Sequence, residues 1–145
     1  MTDTKKVLFL CTGNSCRSQI AEAIVNARLG TRWQAFSAGT QPTGSVHPFA
    51  RQVLAEIGIQ HNGRSKSANE FQNVAFDLVV TVCDEASETC PVWLGTGRRV
   101  HSGFPDPAKA TGNTEEILQA FRQVRDRMVA YLPELLQQWE DAAED

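Results

Sequence analysis

An unbroken apolar run, Val7-Leu8-Phe9-Leu10, passes without a spacer into Cys11-Thr12-Gly13-Asn14-Ser15-Cys16-Arg17-Ser18. Four apolar residues with no polar break read as a buried strand. From Ser15 onward Ile20, Ala23, Ile24 and Ala27 recur at spacings of three and four, which predicts a helix. A cysteine therefore stands where a buried strand becomes a helix.

The first turn of a helix presents backbone N–H groups without partners and the positive end of the helix dipole, so this joint is an anion site by construction. Gly13 and Asn14 tolerate unusual backbone angles, which lets Thr12, Gly13, Asn14, Ser15 and Cys16 curl until their N–H groups converge on one oxyanion. Arg17 adds a planar guanidinium fork. Cys11 lies at the floor of the cradle, where the positive field favours thiolate over thiol and makes it the candidate nucleophile. Ser18 is placed to donate a hydrogen bond to that thiolate. A tetrahedral zinc site is excluded by spacing, because neither Cys11 to Cys16 nor Cys83 to Cys90 has the tight intervals of a four-cysteine site.

The pattern of a cysteine, five residues, Arg17 and Ser18 resembles the phosphate-binding loop of the low-molecular-weight protein tyrosine phosphatase superfamily. The rest of the chain fits that comparison. Trp33 to Ala38 predicts a second strand, and Gly39 to Gly44 a loop. Ser45-Val46-His47-Pro48 opens a helix that stops at Gly58, with packing as its expected role. Gln60 to Lys66 is polar and irregular, and Ser67 to Glu70 has the spacing of a short capped helix. Phe76 to Val82 is the strongest strand signal, and Arg98 to His101 predicts a short last strand. Asp84 to Gly97 and Ser102 to Gly112 read as loops. A closing helix starts near Asn113 or Thr114, carries Ile117, Phe121, Val124, Met128 and Leu132 on one stripe, and is expected to kink or restart at Pro133. Arg122, Arg125 and Arg127 read as a solvated face of it.

Strands alternating with helices imply an α/β fold. The resemblance implies an open four-stranded parallel sheet in the order 2-1-3-4, helices on both faces, and a single domain over residues 1–145. The loop after the first strand then falls at the topological switch point, where ligands bind in open α/β sheets.

With 145 residues, a net charge of -3 and a pI near 5.6, the chain lacks the basic excess of a nucleic-acid or membrane-surface binder. No segment approaches the roughly 20 apolar residues of a membrane span, and the first residues lack the pattern of a signal peptide. A cytoplasmic monomer is expected, and in that compartment four cysteines point to thiol chemistry rather than to structural disulfides.

Cys83 ends the third strand and Cys90-Pro91 follows after six residues. In a parallel sheet the ends of the first and third strands share an edge, so a modest loop movement brings Cys83 toward Cys11, and Cys90 can reach Cys83. A disulfide relay needs a nucleophile, a resolving thiol and a third thiol of this kind. Val80-Thr81-Val82-Cys83, Cys90-Pro91 and the Cys11 to Ser18 loop together resemble the thioredoxin-coupled arsenate reductases. That resemblance implies Cys11 as nucleophile, Cys83 as resolving thiol and Cys90 as shuttle, with no part in the relay for Cys16. It implies arsenate as substrate, phosphate or sulfate as competing oxyanions, a weak phosphatase side activity, no bound cofactor or metal, and thioredoxin as the source of electrons.

A proton donor is also needed. Asp106 sits between Pro105 and Pro107, and Asp106-Pro107 matches the general-acid motif of the family. Some of these reductases bind potassium beside the loop. The matching positions include Asn14, Glu22 and Ser37, but Lys66 stands where an acidic ligand is expected, which implies an ammonium paired with Glu22 and no required potassium.

Two other readings use the same residues. A low-molecular-weight protein tyrosine phosphatase shares Cys11, Arg17, Ser18 and Asp106, but it presents aromatic residues to its substrate. Asp84 to Thr89 contains none, although Trp93 and Phe104 remain candidates. A redox or oxyanion sensor would use the same thiols without turnover.

Overall fold

The structure is a computed structural model and describes residues 4–83, 95 and 97–144. Its strands β1 (Lys5–Cys11), β2 (Trp33–Gly39), β3 (Leu78–Thr81) and β4 (Arg98–His101) form one parallel sheet in the order β2-β1-β3-β4. The helices are α1 (Arg17–Arg28), α2 (Pro48–Glu56) and α3 (Thr114–Glu144). Short 3-10 helices occupy Ala68–Phe71 and Pro107–Lys109.

Alternation along β1 divides the core in two. Val7 and Phe9 point into a cluster with Ile20 and Ile24 of α1, Val53 and Leu54 of α2, and Phe121, Met128 and Leu132 of α3. Leu8 and Leu10 face the other way, toward Ala38, Phe76 and Val79, with Phe36 and Phe71 packed against them. The Ala68–Phe71 turn covers that second face. Each fully buried side chain of the Leu or Phe size contributes on the order of 2 kcal/mol, so the two faces together hold β1 at the sheet centre.

Several boundaries differ from the sequence expectation. The first helix starts at Arg17 rather than Ser15, because residues 12–16 wrap into a loop before helical geometry begins. The third strand is limited to Leu78–Thr81, where pairing with both β1 and β4 is available. α3 passes through Pro133 as one helix. The buried side chains of Leu132, Leu135 and Leu136 anchor it on both sides of the missing N–H.

Of the α3 arginines expected on a solvated face, Arg127 is exposed and Arg122 half-buried, but Arg125 is buried. Arg125 is 8% exposed and donates to the Val53 carbonyl (2.9 Å) and the Glu56 carboxylate (2.7 Å). Arg122 shares Glu56 with it and also pairs with Glu115. Arg127 lies 5.8 Å from the centre of the Phe104 ring. These contacts fasten α3 to α2 and to the loop that carries Asp106.

Candidate active site

Carbonyl direction shapes the loop between β1 and α1. The oxygen of Thr12 accepts from Gln41 N (2.9 Å), that of Gly13 from Thr43 N (3.0 Å) and Ser65 Oγ (3.2 Å), and that of Ser15 from His47 N (3.0 Å). The Asn14 oxygen accepts from the Gln19 amide (3.2 Å), and that of Cys16 from Ile20 N (2.9 Å). Every carbonyl from Thr12 to Cys16 is thus engaged by a donor outside the turn. In a trans peptide the N–H points opposite to its carbonyl, so the N–H groups of Gly13 to Arg17 turn inward together. Asn14 makes the tight turn at φ +47°, the left-handed conformation that Asn adopts more readily than most residues. Cys16 caps α1 without a side-chain bond to the first-turn N–H groups.

Gly39 allows this loop to lie against the sheet. A Cβ there would fall 2.4 Å from the Thr12 oxygen and 3.0 Å from the Asn14 nitrogen.

Cys11 is buried and its sulfur lies 2.9 Å from Ser18 Oγ. Lys66 N donates to Asn14 Oδ1 (2.8 Å), so the Asn14 amide nitrogen is the atom that faces Ser18 Oγ and donates to it (2.8 Å). Having accepted from Asn14, the Ser18 hydroxyl keeps its own hydrogen free to donate to a Cys11 thiolate. Cys16 is buried too, and burial, with the charges of Asp106 and Cys11 behind it, pushes its thiol up to about 12. It stays protonated at neutral pH, whereas a thiol nucleophile must ionise.

Arg17, 4% exposed, spans from the loop to the opposite wall, where it donates to the Phe104 carbonyl (3.3 Å) and lies 3.7 Å from Asp106. The other Asp106 oxygen accepts from Ala108 N (3.0 Å) and caps the Pro107–Lys109 turn, which fixes the carboxylate facing Arg17. Phe104 itself is buried beneath Arg127, so it is not available to stack on a substrate ring.

Cys83 follows β3 on the edge shared with Cys11. Leu10 pairs with Thr81, and Val82 N donates to the Leu10 carbonyl (2.9 Å). Cys83 is buried and disulfide-bonded, whereas Cys11 and Cys16 are free thiols. Cys90 and Trp93 lie outside the described residues.

Under the loop sits a buried polar layer. Lys66 Nζ lies 3.8 Å from the Glu22 carboxylate, 3.4 Å from Ser37 Oγ and 2.7 Å from the Arg64 carbonyl. Ser37 donates to Glu22 (3.0 Å). The ammonium therefore pairs with Glu22, as expected from a lysine that departs from the family's acidic ligand at this position. Burial raises the Glu22 pKa and lowers that of Lys66, and in each case the partner's charge is the main opposing force. Among the described residues no group of three or more His, Cys, Asp or Glu side chains is arranged to hold a metal ion, and no helix is long and apolar enough to cross a membrane.

Residues missed by sequence reasoning are the supports. Gln19, Gln41, Thr43 and His47 engage the loop carbonyls. Only Gly39, at a strand end before a loop, carried a local signal.

A family model described as low molecular weight phosphotyrosine protein phosphatase matches residues 6–144. An arsenate reductase of Halalkalibacterium halodurans is 44% identical over 125 residues, covering 86% of this chain and 89% of that protein. The crystal structure of arsenate reductase from Archaeoglobus fulgidus superposes with a TM-score of 0.69 at 29% identity, over 86% of this chain and 96% of that one. A low molecular weight protein tyrosine phosphatase from T. tengcongensis superposes with a TM-score of 0.72 at 27% identity, over 93% of this chain and 99% of that one. The architecture is thus common to proteins named for two different reactions.

Proposed function

The chain belongs to the low molecular weight phosphotyrosine protein phosphatase family, and on that premise we propose that it reduces arsenate to arsenite through Cys11, Cys83 and Cys90, with thioredoxin as the reductant. The observation that carries this reading is the placement of Cys83 beside the anion loop by the β1–β3 pairing. A phosphatase needs only one thiolate.

Arsenate enters the ring of N–H groups, its charge met by Arg17. The Cys11 thiolate attacks arsenic, and Asp106 supplies the proton on the departing oxygen, which leaves as water. Cys83 then attacks the Cys11 sulfur. The sulfur–sulfur bond forms as the sulfur–arsenic bond breaks, and the electron pair stays on arsenic, which departs as arsenite. Cys90 displaces Cys11 from Cys83, and a dithiol reductant reduces the Cys83–Cys90 disulfide. Phosphorus(V) does not accept that electron pair, so phosphate esters are hydrolysed weakly through a phosphocysteine without redox change. The T. tengcongensis neighbour, named as a phosphatase, favours this side activity. Phosphate and sulfate compete for the cradle, and the chain acts as a cytoplasmic monomer of a single domain.

The test is arsenate-dependent NADPH oxidation with thioredoxin and thioredoxin reductase, on wild type, Cys83→Ser and Cys90→Ser. Sustained turnover is expected in the wild type alone, with p-nitrophenyl phosphate hydrolysis surviving in all three. Ester hydrolysis indifferent to both changes and no arsenate turnover in any protein would overturn the reading.

The Lys66 ammonium takes the place of the potassium that some of these reductases bind, given its position against Glu22 and Ser37. Exchanging sodium for potassium chloride at equal ionic strength is expected to change neither the melting temperature nor arsenate turnover. A clear gain in either with potassium contradicts the assignment.

A further inference from the structure

We propose that His61 is a positioning residue for the Cys11 thiolate: its Nε2–H starts a one-way chain of hydrogen-bond donors that runs through Gln19, Asn14 and Ser18 and ends on the Cys11 sulfur. The contacts are His61 Nε2 to Gln19 Oε1 (2.7 Å), Gln19 Nε2 to Asn14 Oδ1 (2.9 Å), Asn14 Nδ2 to Ser18 Oγ (2.8 Å) and Ser18 Oγ to Cys11 Sγ (2.9 Å). The proposal rests on Cys11 as the nucleophile but not on which oxyanion it attacks.

The direction of the chain follows from groups whose roles are fixed. The Gln19 amide nitrogen also meets the Arg64 carbonyl (2.8 Å) and the Asn14 carbonyl, which can only accept. Gln19 Oε1 is therefore the atom facing His61, and the ring nitrogen must donate. The two Asn14 links are oriented by the Lys66 N–H on Asn14 Oδ1, and in the last link the Ser18 hydroxyl donates when Cys11 is a thiolate. Donors aligned head to tail polarise one another and strengthen the last bond of the series, here the one to sulfur. The His61 side chain is 7% exposed. Burial, followed by the charges of Arg51 from α2 and Lys66 from its own segment, lowers its pKa to about 4, so at neutral pH the ring is neutral and its one proton sits on Nε2, where Gln19 Oε1 accepts it. The facing carboxylate is Glu22 of α1, 3.7 Å away. Arg17 and Asp106 face the Cys11 end from the far wall. Gly63 leaves room for the first link, since a Cβ there would lie 2.4 Å from His61 Nε2 and 2.6 Å from Gln19 Oε1.

The test is iodoacetamide alkylation of the fully reduced protein, with Cys11 followed by peptide mass spectrometry, so that neither arsenate nor thioredoxin takes part. His61→Leu is expected to slow Cys11 alkylation at pH 6 by about threefold. His61→Gln, which keeps a donor near the position of Nε2, restores the wild-type rate. In a Ser18→Ala background, where the chain is already cut, His61→Leu has no further effect. Should His61→Leu fail to fold, Gly63→Ala is read in its place with the same slowing expected. A rate at pH 6 equal to wild type, or a slowing that persists without Ser18, overturns the proposal. A Cys11 that is unreactive even in the wild type would instead remove the nucleophile on which the proposal rests.

Discussion

Arg17→Lys is expected to lower kcat/KM for arsenate by about a thousandfold, the upper end of what one oxyanion donor contributes. Arg17 is buried, follows the anion loop directly in sequence, and reaches the Phe104 carbonyl and the Asp106 side at once. A lysine keeps the charge but offers a single point of contact and no planar fork. The loss applies equally to p-nitrophenyl phosphate hydrolysis, because both reactions build negative charge on equatorial oxygens in the same cradle. Steady-state kinetics on both substrates read the effect. Loss of arsenate reduction alone, with ester hydrolysis intact, would show that Arg17 acts somewhere other than on the oxyanion.

The second large effect is expected at a residue with no functional group. Gly39→Ala inserts a methyl 2.4 Å from the Thr12 oxygen, and the obstructing atoms are backbone that cannot rotate aside. Either β2 slides off its register with Cys11 or the loop lifts away from the sheet. Overpacking of this kind costs about 1–3 kcal/mol. Because the displaced atoms are those that aim the N–H groups, KM for arsenate is expected to rise at least about tenfold as well. Urea unfolding and the arsenate KM read the two consequences separately. An unchanged midpoint with an unchanged KM would mean that the loop does not depend on this close approach.

What the sequence made legible was local, and what it hid was tertiary. The anion loop could be read because its parts lie within eight consecutive residues; alternation pointed to a parallel sheet, and the family resemblance supplied its order. The outer brace of the loop could not. Gln41 and Thr43 sit in a stretch that reads as an ordinary turn, and His47 reads as the start of a packing helix, yet their N–H groups orient the peptides of Thr12, Gly13 and Ser15. Arg125 lies one residue from the apolar stripe of α3, and its burial depends on Glu56, which arrives from another helix. Pro133 signals a break by local rules, but the leucines around it pack well enough to override that signal. Lys66 was informative only against the pattern of a family, because nothing in its own neighbourhood announces that Glu22 and Ser37 will converge on it.

The central claim is that Cys83 takes the electrophilic sulfur of Cys11 after arsenate has been attacked. It is tested most directly by stopping the relay one step early. Reduced Cys90→Ser protein is mixed with arsenate in the absence of any reductant, quenched in acid, and examined for arsenite and for cross-linked peptides. The account predicts one arsenite per chain and a disulfide joining Cys11 to Cys83. Arsenite without that cross-link, or no arsenite from a protein that still hydrolyses p-nitrophenyl phosphate, would contradict it.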